Sequence, residues 1–507
     1  MQGDRRQLLV AVALIALVVA INFLTMPGDQ YSGDAYAVRA ETITLINTGN
    51  WAVPSDVVQN YGERGQSYFH NAKGNCYPKY GIMNTLMFVP PLWIKKMVTH
   101  DLDTDSADEV VYLNLLNVVL SGFTALYLVL LARRYTKSNT IVVVFVMASL
   151  YSTFWWNYLR TQTFEIYHTL FLVAFFYHFV VALDLSGAAE CKRRSDVQFL
   201  AASIYFGALC LCKTLYVVLL PAIIAACALR TMSIHPADVR DRFLHKKRKH
   251  FLFQQLLFFW LPTGLLLGLL AAANWYKFDS PFASGYTQWE QESQIFWPEN
   301  IPEALRGFLY SHHQSVFIHY PVFLFALFGW PIFAKRYKTD AIAAALAGLA
   351  LLLVICMFIH WRGQASYGPR YLLPILPIVS LPFIIYLEWL SKLSNKLAKI
   401  VFVGASAIVL AYSTLLQVCM NTMPFFFSYY VEYPLDEEDS RGFDYLGDHC
   451  FGTIERDFLL YRAGFKSPFQ KDFLDRLNSD ELERMSAFID EVQSNYYWFP
   501  NLLRTGE

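Results

Sequence analysis

Charge is scarce in this 507-residue chain: Asp, Glu, Lys and Arg make up 16% of it, against about 25% in soluble globular proteins. So low a content excludes intrinsic disorder, which needs charge in place of a core. Nor does either sign prevail, since 41 Lys and Arg balance 41 Asp and Glu. The balance removes the basic excess of a nucleic-acid binder. The eight cysteines contain no Cys-x-x-Cys pair and no zinc-ligand spacing, which excludes a disulfide-dense mini-protein and a structural zinc module. The sequence also lacks a Walker A loop, a Rossmann glycine fingerprint and any internal repeat, leaving no motif for ATP-driven transport or dinucleotide chemistry.

What the chain has instead is apolar sequence, at 55% hydrophobic and 17% aromatic residues. The runs are continuous and rich in Leu, Val, Ala and Phe, unlike the alternating segments of a membrane β-barrel. Many approach the ~20 residues that cross a bilayer. Eleven spans are expected, at 8–26, 110–132, 139–157, 165–184, 196–212, 214–230, 251–274, 315–333, 340–359, 371–390 and 399–419. Arg5 and Arg6 precede the first, and no small-residue cleavage site follows it, so it reads as a retained signal anchor. Basic residues cluster in alternate loops, including Arg133, Arg134 and Lys137, then Lys192 to Arg194, Lys246 to Lys249, Lys335, Arg336 and Lys338, and Lys392 to Lys399. The positive-inside rule makes that side and the N-terminus cytoplasmic. The run His245 to His250 then reads as an anchor near anionic lipid, not a nucleic-acid patch.

One apolar run does not fit as a crossing. Residues 81–98 hold Pro90 and Pro91 and end near Lys95 and Lys96, and a crossing there would invert every later loop. It is expected to lie on the outer surface, anchored by Trp93. Two units follow: a transmembrane domain over 1–419, with the long outer loop 27–109, and a small extracytoplasmic domain over 420–507. Cys76 and Cys450 both fall outside, bridged or as two free thiols.

Polar groups gather in four places on the outer side. Asp29, Asp34, Arg39 and Glu41 follow the first span; a solvated loop with helix-capping acids is the competing reading. Lys79 stands between Tyr77 and Tyr80, where snorkelling at the interface competes with function. Arg160, Glu165 and His168 surround the start of a span, where an acid is costly unless paired or functional. His360, Arg362 and Arg370 form the fourth group, and Arg suits bidentate contact with phosphate. Asp101, Asp103 and Asp105 start like a calcium loop, but Ser106 and Tyr112 replace its essential Gly and Glu.

These pieces carry a resemblance. The Asp34 loop, Tyr77-Pro78-Lys79-Tyr80-Gly81, Arg160 with Glu165, the segment ANWYKFDSPFASGY closing at Tyr286, and Gly368-Pro369-Arg370-Tyr371-Leu372-Leu373-Pro374 are similar to the polytopic GT-C glycosyltransferases that use polyprenyl-phosphate-linked sugars. The chain resembles bacterial relatives of protein O-mannosyltransferases and of the lipid A aminoarabinose transferase over most of residues 8–390. The resemblance implies an all-α polytopic GT-C bundle in the plasma (inner) membrane, a catalytic Asp at Asp34, a second acid at Glu165, and phosphate-binding cations at Lys79 and Arg370. Where relatives often show Ser-Pro-Arg-Arg-Gly, this chain has Ser311-His312-His313-Gln314-Ser315. The arginine role would pass to His312 and His313, with pH-dependent charge.

The expected reaction moves a sugar from a polyprenyl-phosphate donor to a lipid, glycan or protein hydroxyl at the outer face, with inversion. Asp34 acts as general base and Glu165 orients the acceptor or Lys79. Tyr77, Tyr80, Arg160 and Arg362 join Lys79, Arg370, His312 and His313 as expected substrate contacts, with no metal or other cofactor. A lipid or glycolipid transporter is the rival reading; it predicts charges at mid-membrane, whereas most here sit at the outer ends of spans.

Overall fold

A computed structural model describes residues 2–28, 33–60, 67–103, 108–186, 192–233, 242–311, 314–363, 367–422 and Trp498. The apolar runs are helical because backbone N–H and C=O groups in hydrocarbon must be satisfied within their own segment. Helix α1 (Gln2–Leu24) is followed by α2 (Gly33–Thr48) and α3 (Ser55–Asn60). A small antiparallel hairpin pairs β1 (Tyr68–His70) with β2 (Cys76–Pro78), with Tyr77 opposite Phe69. Next come α4 (Ile82–Thr99), α5 (Asp108–Tyr135), α6 (Asn139–Tyr151), α7 (Trp155–Arg160), α8 (Glu165–Leu185) and α9 (Lys192–Cys212). A 3-10 turn over Thr214–Leu219 opens α10 (Leu220–Ser233), and one π-helical turn joins α11 (Arg242–Gln255) to α12 (Leu261–Phe278). The remainder is α13 (Gly285–Ser293), α14 (Ile301–Tyr310), α15 (Val316–His319), α16 (Pro321–Arg336), α17 (Lys338–Met357), α18 (Leu376–Val379), α19 (Pro382–Lys392) and α20 (Lys396–Thr422).

The chain is a multi-pass membrane protein. Among the described residues eight helical stretches are long and apolar enough to cross a membrane, and they coincide with eight of the eleven expected spans. Eleven uninterrupted crossings are not reproduced. The expected span 139–157 stops as helix at Tyr151, where the Thr153 hydroxyl turns back to the Ser149 carbonyl at 2.7 Å. The expected spans 315–333 and 371–390 are broken, α16 starting at Pro321 and the 370s divided by Pro374, Pro377 and Pro382. Proline supplies no N–H to the helical ladder and crowds the preceding turn.

The expected surface run 81–98 is helical as α4 (Ile82–Thr99), which is not one of the eight crossing stretches. Its polar residues Asn84, Thr85 and Lys95 are buried, whereas Trp93, Ile94, Met97 and Val98 are exposed, Trp93 by 54%. That inverted amphipathicity fits a helix with protein behind it and lipid in front. Lys95 is held 2.5 Å from buried Glu109 at the start of α5. Helix α8 packs along both α5 and α9 and is enclosed for most of its length. Another buried ion pair, Lys277 to Glu41 at 2.5 Å, ties the end of α12 to α2, and Thr85 of α4 donates to the same carboxylate.

Most of the expected domain 420–507, Cys450 included, lies outside the described residues. Trp498 is described: its ring lies 5.1 Å from that of Phe23, and its indole N–H donates to the Phe23 carbonyl at 2.9 Å.

Candidate active site

Four segments distant in sequence converge at the ends of α2 and α8. Asp34 lies in the first turn of α2 and accepts a hydrogen bond from the Tyr80 hydroxyl. Nη2 of Arg370 stands 3.6 Å from the Asp34 carboxylate, and its Nε stands 4.0 Å from Glu165 in the first turn of α8. Both acids therefore sit at helix N-termini, where a negative charge is favoured.

Local structure sets these positions. The β1–β2 register and the bond from Lys79 N–H to the Ser67 carbonyl, 3.0 Å, place Lys79 and Tyr80 just ahead of α4. Ser284 and Thr287 cap α13 reciprocally, which fixes Tyr286 between them. Gly285 is required there, because a Cβ would run into the Lys79 backbone. Helix α9 ends at Cys212, and Lys213 is extended (φ −153°), which turns its side chain away from the helix ladder.

A cavity of about 240 Å³ opens on this group. Asp34, Glu165, Lys213 and Arg370 supply its charges; Leu351, Val354, Ile355, Phe358, Phe296 and Pro374 supply an apolar wall. The Lys213 ammonium lies 4.6 Å from the Tyr286 ring centre and 5.0 Å from that of Tyr371. The Lys79 ammonium lies 4.3 Å from the Trp289 ring centre, 5.4 Å from Tyr80 and 5.7 Å from Tyr286. His360 stacks on the same Trp289 at 5.2 Å and 22°.

The charges control one another. Burial pushes the Asp34 carboxyl up, but Lys79 and Arg370, the Tyr80 hydrogen bond and Lys213 outweigh it and hold the group below the ordinary Asp value. Lys213 is pushed down to about 8, by burial first and then by Arg370 and Lys79, against the pull of Glu165 and Asp34. Lys79 is also lowered, by burial and Arg370. These are the perturbations expected where cations are gathered before their anion arrives.

Of the residues singled out in the sequence, Asp34, Tyr80, Glu165, His168 and Arg370 line the cavity. Lys79 is not a lining residue; its ammonium is surrounded by the Trp289, Tyr80 and Tyr286 rings, and its charge reaches Asp34 through space. Arg160 does not line the cavity; it is fully buried and ties the chain together, donating to the Asn421 side chain at 2.9 Å, the Asn421 carbonyl at 2.8 Å and the Thr25 carbonyl. Arg362 likewise does not line the cavity and pairs with Glu303 at 2.7 Å. Tyr77 is buried in β2, edge-on to Tyr276 at 5.9 Å. Asp29, His312 and His313 lie outside the described residues. Sequence reasoning gave no site role to Lys213, Tyr286, Tyr371 or Trp289. A lone Lys between two apolar runs was the available signal for Lys213.

No family model matches the sequence, and no curated protein matches it. Solved structures do. AglB from Archaeoglobus fulgidus, an archaeal oligosaccharyltransferase in complex with an inhibitory peptide and a dolichol-phosphate, matches with a TM-score of 0.50 and 11% identity, over 86% of this chain and 59% of that one. The chain spans 59% of the length of the archaeal protein. ArnT from Cupriavidus metallidurans, bound to undecaprenyl phosphate, matches with a TM-score of 0.47 and 12% identity, over 90% of this chain and 69% of that one. The chain shares the polytopic helical fold of the archaeal oligosaccharyltransferase.

Proposed function

We propose that this protein transfers a sugar from a polyprenyl-phosphate-linked donor to an acceptor hydroxyl at the outer face of the membrane. One observation carries the reading: a single cavity joins two carboxylates, two cations and an apolar wall. The apolar wall suits the isoprenoid chain, and the cations suit its phosphate. The charge balance supports a monophosphate. Lys79, Lys213 and Arg370 exceed Asp34 and Glu165 by one positive charge, which one phosphodiester would neutralise. The dolichol-phosphate complex of the archaeal protein with this fold is consistent with that choice.

In this reading the acceptor oxygen attacks the anomeric carbon as Asp34 takes its proton. The bond from that carbon to the phosphate oxygen breaks, and its electron pair leaves with the phosphate. Arg370 and Lys213 meet the growing negative charge, an electrostatic contribution that is often the largest in catalysis. Lys79 adds its charge from behind the aromatic rings. Donor phosphate engages the same cations that depress Asp34, so binding raises the basicity of the group that must act next. Glu165 holds Arg370 from the other side. One displacement inverts the anomeric centre.

The test uses the full-length protein in proteoliposomes made with cell-envelope lipid extract, given a panel of synthetic polyprenyl-monophosphate sugars. The reading expects one of them to yield free polyprenyl phosphate and an inverted glycoside, with Asp34→Asn inactive. Release from no donor, or equal release by wild type and Asp34→Asn, overturns it.

A further inference from the structure

His168 is a titratable cavity residue to which the reaction above gives no role. It sits one turn into α8 beneath Glu165, and its ring lines the cavity with Asn84 and Tyr216. Its environment fixes which nitrogen carries the proton. Asn84 is fully buried, and its amide nitrogen donates to two backbone carbonyls, Cys212 at 2.8 Å and Gly81 at 3.0 Å. The amide oxygen of Asn84 therefore faces Tyr167 and His168 and must accept from both. The Tyr167 hydroxyl donates to it at 2.9 Å, and His168 Nε2 stands 3.2 Å away. Asn84 cannot turn over without setting its oxygen against two carbonyl oxygens. The clamp is tight: the Gly81 N–H also reaches the Cys212 carbonyl at 3.2 Å, and a Cβ on residue 81 would collide with the Leu211 carbonyl.

With Nε2–H committed to Asn84, the neutral ring keeps its lone pair on Nδ1. Among the described residues Nδ1 makes no hydrogen bond, although the ring lies on the cavity wall. Tyr216, edge-on at 5.5 Å, and Tyr167, edge-on at 5.2 Å, hold the ring plane. We propose that His168 is a specificity residue that accepts a hydrogen bond at Nδ1 from a hydroxyl of the donor sugar, with its tautomer set by Asn84. This rests on the reading of the cavity as the donor site. It predicts that the protein distinguishes a sugar-bearing lipid phosphate from the bare lipid phosphate at this ring, since a site built around a hydroxyl penalises its absence.

Two substitutions separate the ring nitrogens. His168→Gln places an amide near Nε2, keeping the bond to Asn84 while removing the acceptor at Nδ1. His168→Asn places an amide near Nδ1. Affinities of detergent-purified full-length protein are measured for synthetic polyprenyl-monophosphate sugar and for polyprenyl phosphate. His168→Gln is expected to weaken the sugar-bearing ligand by about ten- to a hundredfold and to leave polyprenyl phosphate unchanged, with His168→Asn weakened less. One monodeoxy sugar donor should lose affinity for wild type and lose nothing further for His168→Gln. Equal loss of both lipids, or no loss of either, overturns the assignment. Should His168→Gln fail to fold, ¹⁵N-histidine spectra of the wild type decide: the Nδ1 resonance must shift with the sugar-bearing lipid and not with bare polyprenyl phosphate, and no difference overturns the proposal. Wild type that binds neither lipid contradicts the cavity reading itself, an outcome distinct from a failure at His168 alone.

Discussion

The Arg370 guanidinium stands 3.6 Å from the Asp34 carboxylate and 4.0 Å from that of Glu165, so one cation serves two acids. A cation so placed stabilises the Asp34 anion and weakens it as a base. Phosphate competing for Arg370 reverses that. In the proposed reaction this arrangement would tie the activity of Asp34 as base to occupancy of the donor site, and the predictions below follow from it.

Asp34→Asn should lower the transfer rate by roughly 10²–10⁴-fold, the worth of a placed general base. Affinity for polyprenyl phosphate should hold or rise, since a carboxylate beside the cations is gone. Parallel rate and binding measurements check this, and equal losses in both would contradict it.

Lys79→Gln should shift the acid limb of the rate profile upward. Lys79 is the leading charge that lowers Asp34, so its removal raises the pH at which Asp34 takes up a proton. Activity then falls at a higher pH on acidification. The effect must be on the profile, because Lys79 does not line the cavity.

Lys213, held down to about 8, should set the alkaline limit of donor binding. Its protonated form attracts phosphate, so the KM for donor should rise as pH passes about 8. Asp34, Glu165, Arg370, Lys79 and the Tyr286 and Tyr371 rings face it and stay in place. Lys213→Arg should keep its charge and carry tight binding to higher pH; an unchanged profile would contradict the role.

Lys277→Met should destabilise the fold by about 3–5 kcal/mol, because Glu41 would remain as a buried, uncompensated charge. Glu41 and Lys277 are both essentially inaccessible, and they tie together α2, which carries Asp34, α4, which follows Tyr80, and α12, which precedes Tyr286. The double variant Glu41→Gln/Lys277→Met should recover much of the loss in thermal unfolding.

The crossing helices were legible because length and oil decide them locally; the prolines at 321, 374, 377 and 382, visible in the sequence, already marked where two expected spans break. Asp34, Tyr80, Glu165 and Arg370 were singled out because loop charge read all four to one side of the bilayer, and all four line one cavity. Arg160 was not separable from these by sequence, because the same signal, an Arg at the end of a span, also describes a residue that satisfies the carbonyls of Thr25 and Asn421 away from the cavity lining. Lys213 was the reverse case, and His168, grouped with Arg160 and Glu165 in the sequence, had no role assigned there. A lone Lys between two apolar runs gains meaning only once α9 and the following turn are seen to meet at the cavity, and the tautomer of His168 depends on Asn84, a tertiary contact.

The most direct measurement is native mass spectrometry of the detergent-purified protein with added polyprenyl phosphate, comparing wild type with Arg370→Ala/Lys213→Ala. The account predicts a polyprenyl phosphate adduct on wild type that the double variant loses while ordinary phospholipid adducts persist on both. The same adducts on both proteins, or phospholipid alone on wild type, would contradict a lipid-phosphate site at these residues.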